Sequence, residues 1–74
     1  MKNKKIISWI VPCFNEEKVI LETLSRIREV SIKLNKFSWE LILIDDGSRD
    51  NTKKIIKEIK NYPIKIILLS FSRN

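Results

Sequence analysis

Histidine is absent from these 74 residues, and cysteine occurs once, at Cys13. A lone cysteine cannot close an intrachain disulfide, and without histidine there is no zinc ligand set. A reduced, cytoplasmic setting is the expectation. Glycine also occurs once, at Gly47. The first strand is therefore followed by no Gly-x-Gly-x-x-Gly turn, and no Gly-rich phosphate loop exists, which disfavours a dinucleotide dehydrogenase and a P-loop hydrolase. No apolar run approaches the ~18 residues that span a bilayer. The basic start, Met1-Lys2-Asn3-Lys4-Lys5 before Ile6 to Val11, has the outline of a signal peptide. The run is too short, however, and no small-residue cleavage site follows, so it reads as a first strand.

A chain of this size makes one small domain and buries only about 60% of its unfolded surface. Its net charge of +6 comes largely from 11 lysines, spread over helix faces and termini without aromatic interleaving. Solvated helix faces account for most of that charge. Attraction to an anionic membrane surface or substrate is the second reading. No nucleic-acid recognition motif accompanies the lysines, so nucleic acid is not expected as a partner.

What is present is an alternation of two periods. Ile6 to Val11, Trp39 to Ile44 and Ile64 to Leu69 are nearly continuous apolar runs, the pattern of buried parallel strands. Pro12 is expected to end the first of them. Between the runs, Ile20, Leu24, Ile27, Val30 and Leu34 recur at spacings of three and four and predict a helix over 16–34. Asn15 is its expected N-cap, and Asn35 its expected left-handed stop. Ile55, Ile56, Ile59 and Tyr62 mark the buried side of a second helix over 51–61, capped by Asp50 and ended by Pro63. The order is β-α-β-α-β with parallel strands near 6–11, 39–44 and 64–69, half of a doubly wound sheet.

Two polar signatures follow the first two strands. They are Val11-Pro12-Cys13-Phe14-Asn15-Glu16-Glu17 and Leu43-Ile44-Asp45-Asp46-Gly47-Ser48-Arg49-Asp50. Loops at the carboxyl ends of parallel strands are where an open α/β sheet binds ligands. Asp45 and Asp46 could accept hydrogen bonds from a base or ribose, or hold a hard cation. Asp-Asp-Gly-Ser is equally good turn chemistry, with Gly47 supplying a positive φ. Phe14 could stack on a base and Glu16 receive a donor. Equally, Phe14 could tuck into the core and Glu16 answer the helix dipole. Cys13 has no neighbouring cation to activate it as a nucleophile. Trp9 and Trp39 read as packing residues. A response-regulator receiver would need an acid after the third strand, where Ser70 stands.

Taken together with a third block, Leu69-Ser70-Phe71-Ser72-Arg73-Asn74, the signatures resemble the N-terminal part of family-two glycosyltransferases. The ending Leu-Ser-x-Ser-Arg-Asn is similar to the branch that glycosylates polyprenyl phosphates, the dolichyl-phosphate and bactoprenol enzymes. The resemblance implies a truncated, Rossmann-like GT-A α/β sheet. It implies a nucleotide-sugar donor (UDP- or GDP-hexose) and a lipid phosphate acceptor at the inner face of the membrane. It places the nucleoside pocket on Pro12, Phe14, Glu16, Leu43 and Asp45, with Asp46 as a second acid of the same loop. The family's aromatic is usually Tyr, so Phe14 keeps the stacking face without the hydroxyl.

The same resemblance implies Mg²⁺ or Mn²⁺ in the complete enzyme, held by an Asp-x-Asp motif that would lie beyond Asn74. Residues 1–74 thus resemble the first quarter to third of such an enzyme, without its catalytic or metal residues. A complementing C-terminal segment is the expected partner. The alternative is a non-catalytic, nucleotide-binding remnant.

Overall fold

The computed structural model describes residues 4–71. Met1 to Asn3 and Ser72-Arg73-Asn74, the end of the third sequence block, lie outside the described residues. The chain runs β1 (Ile6–Cys13), α1 (Ile20–Lys33), β2 (Ser38–Asp46), α2 (Thr52–Lys57) and β3 (Lys65–Phe71). The strands form one parallel sheet in the order β1-β2-β3. This is the expected βαβαβ unit, a Rossmann-like α/β sheet consistent with part of a GT-A fold.

The side chains alternate between two unlike faces. One carries Trp9, Val11, Cys13, Leu41, Leu43, Ile66 and Leu68, and packs against Ile20, Leu24 and Ile27 of α1 and Ile56 of α2. Both helices therefore cover the same face. Ser31 is also buried on α1, where its hydroxyl accepts the Trp9 indole N–H at 2.9 Å and donates to the Ile27 carbonyl at 2.8 Å. Trp9 in turn stacks on Trp39, with ring centroids 5.4 Å apart. Tyr62 anchors the approach to β3 by donating its hydroxyl to the Leu24 carbonyl at 2.6 Å. Burial pushes the Tyr62 phenol up, against the pull of Arg28.

Several boundaries differ from those the sequence predicts. Pro12 does not end β1; it pairs in register with Ile44, and the strand continues to Cys13. An edge strand has an unpaired side on which a missing donor costs no ladder bond. Asp45 and Asp46 close strand β2 rather than forming a loop, and Ser70 and Phe71 extend β3 beside them. Helix α1 starts at Ile20, not near residue 16, because Asn15 is left-handed (φ 52°) and residues 16–19 form a separate turn. The stripe on α1 runs Ile20, Leu24, Ile27, Ser31; Val30 and Leu34 are exposed. Leu34, with φ −97°, ends the helix, so Asn35 is not its left-handed stop; Asn61 (φ 59°) is the left-handed residue ahead of β3. Helix α2 is only Thr52–Lys57, and its end tightens as Glu58 donates to both Lys54 and Ile55.

Candidate functional site

The two sequence signatures leave adjacent strands at the same edge of the sheet, and they are laced together. Four main-chain donors cross between them: Asn15 to Ser48 Oγ (2.9 Å), Glu16 to Thr52 Oγ1 (2.7 Å), Glu17 to Asp50 Oδ2 (3.2 Å) and Arg49 to Asn15 Oδ1 (2.8 Å). This lacing explains the late start of α1. The N–H groups that would open a helix are taken by side chains of the second loop. Asn15 acts as a bracket between loops rather than as an N-cap.

Asp45 sits at the root of the lacing and is only 1% exposed. Its Oδ1 accepts the Ser48 main-chain N–H at 3.0 Å and also the Ser48 hydroxyl, which itself accepts Asn15. Gly47 takes φ 80°, the left-handed turn that lets Ser48 fold back onto Asp45. Asp50 performs the same service one turn later, accepting the Thr52 N–H at 3.0 Å and its hydroxyl at 2.5 Å. Desolvation pushes the Asp50 carboxyl up, but hydrogen bonds from Thr52 and from the Glu17 main chain outweigh it and hold the group below its ordinary value. Thr52 is fully buried at the centre of this second latch.

Thr52→Val keeps the shape of that side chain and removes both hydroxyl bonds. It leaves the Glu16 N–H without its acceptor, which costs about 1–3 kcal/mol. Urea denaturation should show a loss of that size, and a change below half a kcal/mol would show that the latch is not formed.

Two concavities open at this edge. The smaller, of about 380 Å³, is walled by Phe14, Asp45, Ser48, Arg49, Lys53 and Phe71. The larger, of about 720 Å³, is more apolar and is walled by Pro12, Phe14, Glu16, Ile44, Asp46 and Phe71. They share Phe14 and Phe71 and so form one double pocket with two aromatic rings at its waist. Of the six residues singled out from the sequence, Pro12, Phe14, Glu16, Asp45 and Asp46 line it. Leu43 does not: it is fully buried on the helix-covered face.

Phe71, Arg49 and Lys53 line the pocket without having been singled out. The first lies past Leu69, where the third strand is expected to end; β3 runs on to Phe71, and strand alternation carries Leu69 and Phe71 to one face. Cys13 borders the larger pocket as a protonated thiol. Burial raises its pKa, and the charges of Asp45 and Glu16 raise it further.

The arrangement offers aromatic faces, a buried carboxylate and two cations, the equipment for a planar polar ring with an anionic extension. It does not fit a divalent ion. Among the described residues no three His, Cys, Asp or Glu side chains group to hold one. No chemical step is assigned to a metal on this chain.

Comparison with known proteins gives the family of this chain. Residues 8–74 match the family model "Glycosyl transferase family 2". The chain belongs to glycosyltransferase family 2. It is 34% identical to a dolichyl-phosphate β-glucosyltransferase (ALG5D) of Trichomonas vaginalis, over 99% of this chain and 24% of that protein. It is 38% identical to the bactoprenol glucosyl transferase of Shigella phage SfV, over 92% of this chain and 22% of the relative. An uncharacterised glycosyltransferase of Bacillus subtilis, YkcC, is 39% identical over 90% of this chain and 20% of its own length. The chain thus spans less than a quarter of the length of these three relatives. No solved structure matches it. Among the described residues no helix is long and apolar enough to cross a membrane.

Proposed function

We propose that this chain is the nucleotide-binding N-terminal segment of a glycosyltransferase that moves a hexose from a UDP- or GDP-sugar to a polyprenyl phosphate at the inner face of the membrane. The observation that carries the reading is the double pocket. Two loops from neighbouring parallel strands are laced together, with Phe14 lining both cavities, Asp45 the smaller and Glu16 the larger. In this reading the base lies against Phe14, with Pro12 and Glu16 beside it, and Asp45 and Asp46 receive nucleoside donors. Leu43 contributes by filling the floor beneath Asp45. The names of the dolichyl-phosphate and bactoprenol relatives support the lipid phosphate acceptor. The complete enzyme would draw on Mg²⁺ or Mn²⁺ to neutralise the departing diphosphate, through residues supplied by a complementing C-terminal segment.

The 74-residue chain should bind UDP or GDP weakly, in the millimolar range, and transfer no labelled hexose to undecaprenyl or dolichyl phosphate. Mg²⁺ or Mn²⁺ should leave the affinity unchanged. Among the described residues the cations that line the pocket, Arg49 and Lys53, are side chains whose fields are screened within about 8 Å at physiological salt. Calorimetric titration with and without metal, and a radiolabelled transfer assay, test both halves. Sugar transfer by the purified chain, or a strong metal-dependent gain in affinity, would overturn the segment reading. Absence of any nucleotide binding would overturn the pocket assignment.

A further inference from the structure

The sheet face opposite the helices is bare, and its last row reaches the pocket. Strand register sets Ile10-Ile42-Ile67 and then Pro12-Ile44-Leu69 side by side on that face. Two residues beyond the second row stand Phe14, Asp46 and Phe71. Asp46 pairs with Phe71, and Phe14 directly follows Cys13, the partner of Asp45. Strand alternation, carried one step past β1, returns all three to the bare face at the carboxyl edge of the sheet. The rows behind them are aliphatic. Aromatic side chains appear on this face only in the row that lines the pocket, and Phe14 and Phe71 each line both concavities. Phe14 is 47% exposed and Phe71 54%. Two strand spacings, about 9–10 Å, separate their backbones. Stacked rings have centroids roughly 4.5–7 Å apart, so rings standing on these two strands leave a gap between them. Among the described residues the ring pairs are Trp9–Trp39 and Phe37–Trp39, and Phe71 stacks on neither.

We propose that Phe71 is the second wall of the base site, so that the nucleotide base lies between the Phe14 and Phe71 rings, above Asp46. This role goes beyond stacking on Phe14 alone, and it rests on the nucleotide reading of the pocket. An aliphatic residue at the end of β3 would continue the apolar row equally well; a ring there adds a flat face turned to the cavity. A base offers two π faces, and stacking on them is tolerant of which base is bound. A two-ring wall therefore selects for a flat ring and leaves the choice between uracil and guanine to the polar groups around it.

Chemical-shift titration of the full chain with UDP and with 5,6-dihydro-UDP tests the wall. The second ligand keeps the hydrogen-bonding edge of uracil and loses the flat ring. The parent chain should prefer UDP by at least about tenfold, the effect of stacking on both faces. Phe71→Leu keeps apolar bulk at this exposed strand end and removes the ring; Phe71→Ala removes both. Each should cut the preference at least about threefold, and uracil H5 and H6 of bound UDP should lose part of their upfield ring-current shift. The protein spectra report in the same experiment whether each variant keeps its fold. Phe71→Leu binding UDP as tightly as the parent does would show that Phe71 only fills space, and overturns the role. Equal losses for the two ligands in both variants overturn it too, as does a parent that binds UDP without preferring it. A parent that binds neither ligand overturns the nucleotide reading itself, and the role of Phe71 with it.

Discussion

Leu41→Ala should leave this chain largely unfolded in water. Leu41 is fully buried at the middle of the central strand, in register with Trp9 on one side and Ile66 on the other. Leucine-to-alanine changes in such sites cost about 2–5 kcal/mol, the spread depending on how far the cavity collapses. A site between two strands and two helices collapses little. The reserve it draws on is small. Domains hold roughly 0.05–0.15 kcal/mol per residue, which for a chain of this length is about 4–11 kcal/mol. A sheet covered on one face only belongs at the lower end.

Urea denaturation followed by tryptophan fluorescence is suited to the test, because the Trp9–Trp39 stack lies on the same face as Leu41. The expected result is a midpoint moved to less than half its original value, or no folded baseline. Ile10→Ala, on the bare face, is the contrast and should change stability by less than one kcal/mol. A loss at Leu41 as small as that at Ile10 would mean that the helix-covered face is not the core.

These two residues also show why some of the fold could be read in advance and some could not. Ile10 and Leu41 sit in apolar runs that look alike in sequence. The runs announce strands, and their alternation with helical stripes announces the βαβαβ order. Nothing in a run says which face a partner covers, because a sheet built for cover on both sides is apolar on both. The boundaries escaped for a different reason. Asn15, Glu16 and Glu17 have the composition of a helix start, and local propensity gives them to α1. Their N–H groups are claimed instead by Ser48, Asp50 and Thr52, more than thirty residues away. Long-range hydrogen bonds of that kind leave no local period to detect. The pocket residues were legible where they belong to the two loop signatures. Phe71 was missed because its position depends on where β3 ends, and Leu43 was placed at the pocket by the family resemblance and by no local signal. Strand alternation carries residues two apart to the same face, and burial then separates them: Asp45 reaches the edge, while Leu43 is covered by the helices.

Replacing Asp45 should cost the chain at least about tenfold in nucleotide affinity, and the choice of replacement decides why. Asp45 does two things in the proposed site. Its Oδ1 holds Ser48 and, through Ser48, the Asn15 loop that carries Phe14 and Glu16. Its carboxylate also forms a wall of the smaller pocket. Asp45→Ala removes both functions. Asp45→Asn retains an oxygen acceptor for the Ser48 N–H and hydroxyl but removes the charge and replaces one acceptor oxygen with a donor. Ser48→Ala removes the bracket to Asn15 and leaves the carboxylate in place.

If the carboxylate receives nucleoside donors, as proposed, Asp45→Asn should lose nearly as much affinity as Asp45→Ala, while Ser48→Ala loses only a few-fold. A tenfold loss corresponds to about 1.4 kcal/mol, within the range for one charge-assisted hydrogen bond. If Asp45 serves only to hold the loops, the order reverses: Asp45→Asn binds almost as the parent does, and Ser48→Ala falls with Asp45→Ala. Chemical-shift titration with UDP and GDP suits the weak binding expected of this chain, and the same spectra show whether each variant keeps its fold. Equal affinity in all three variants would place the nucleotide away from Asp45 and would remove the carboxylate from the site.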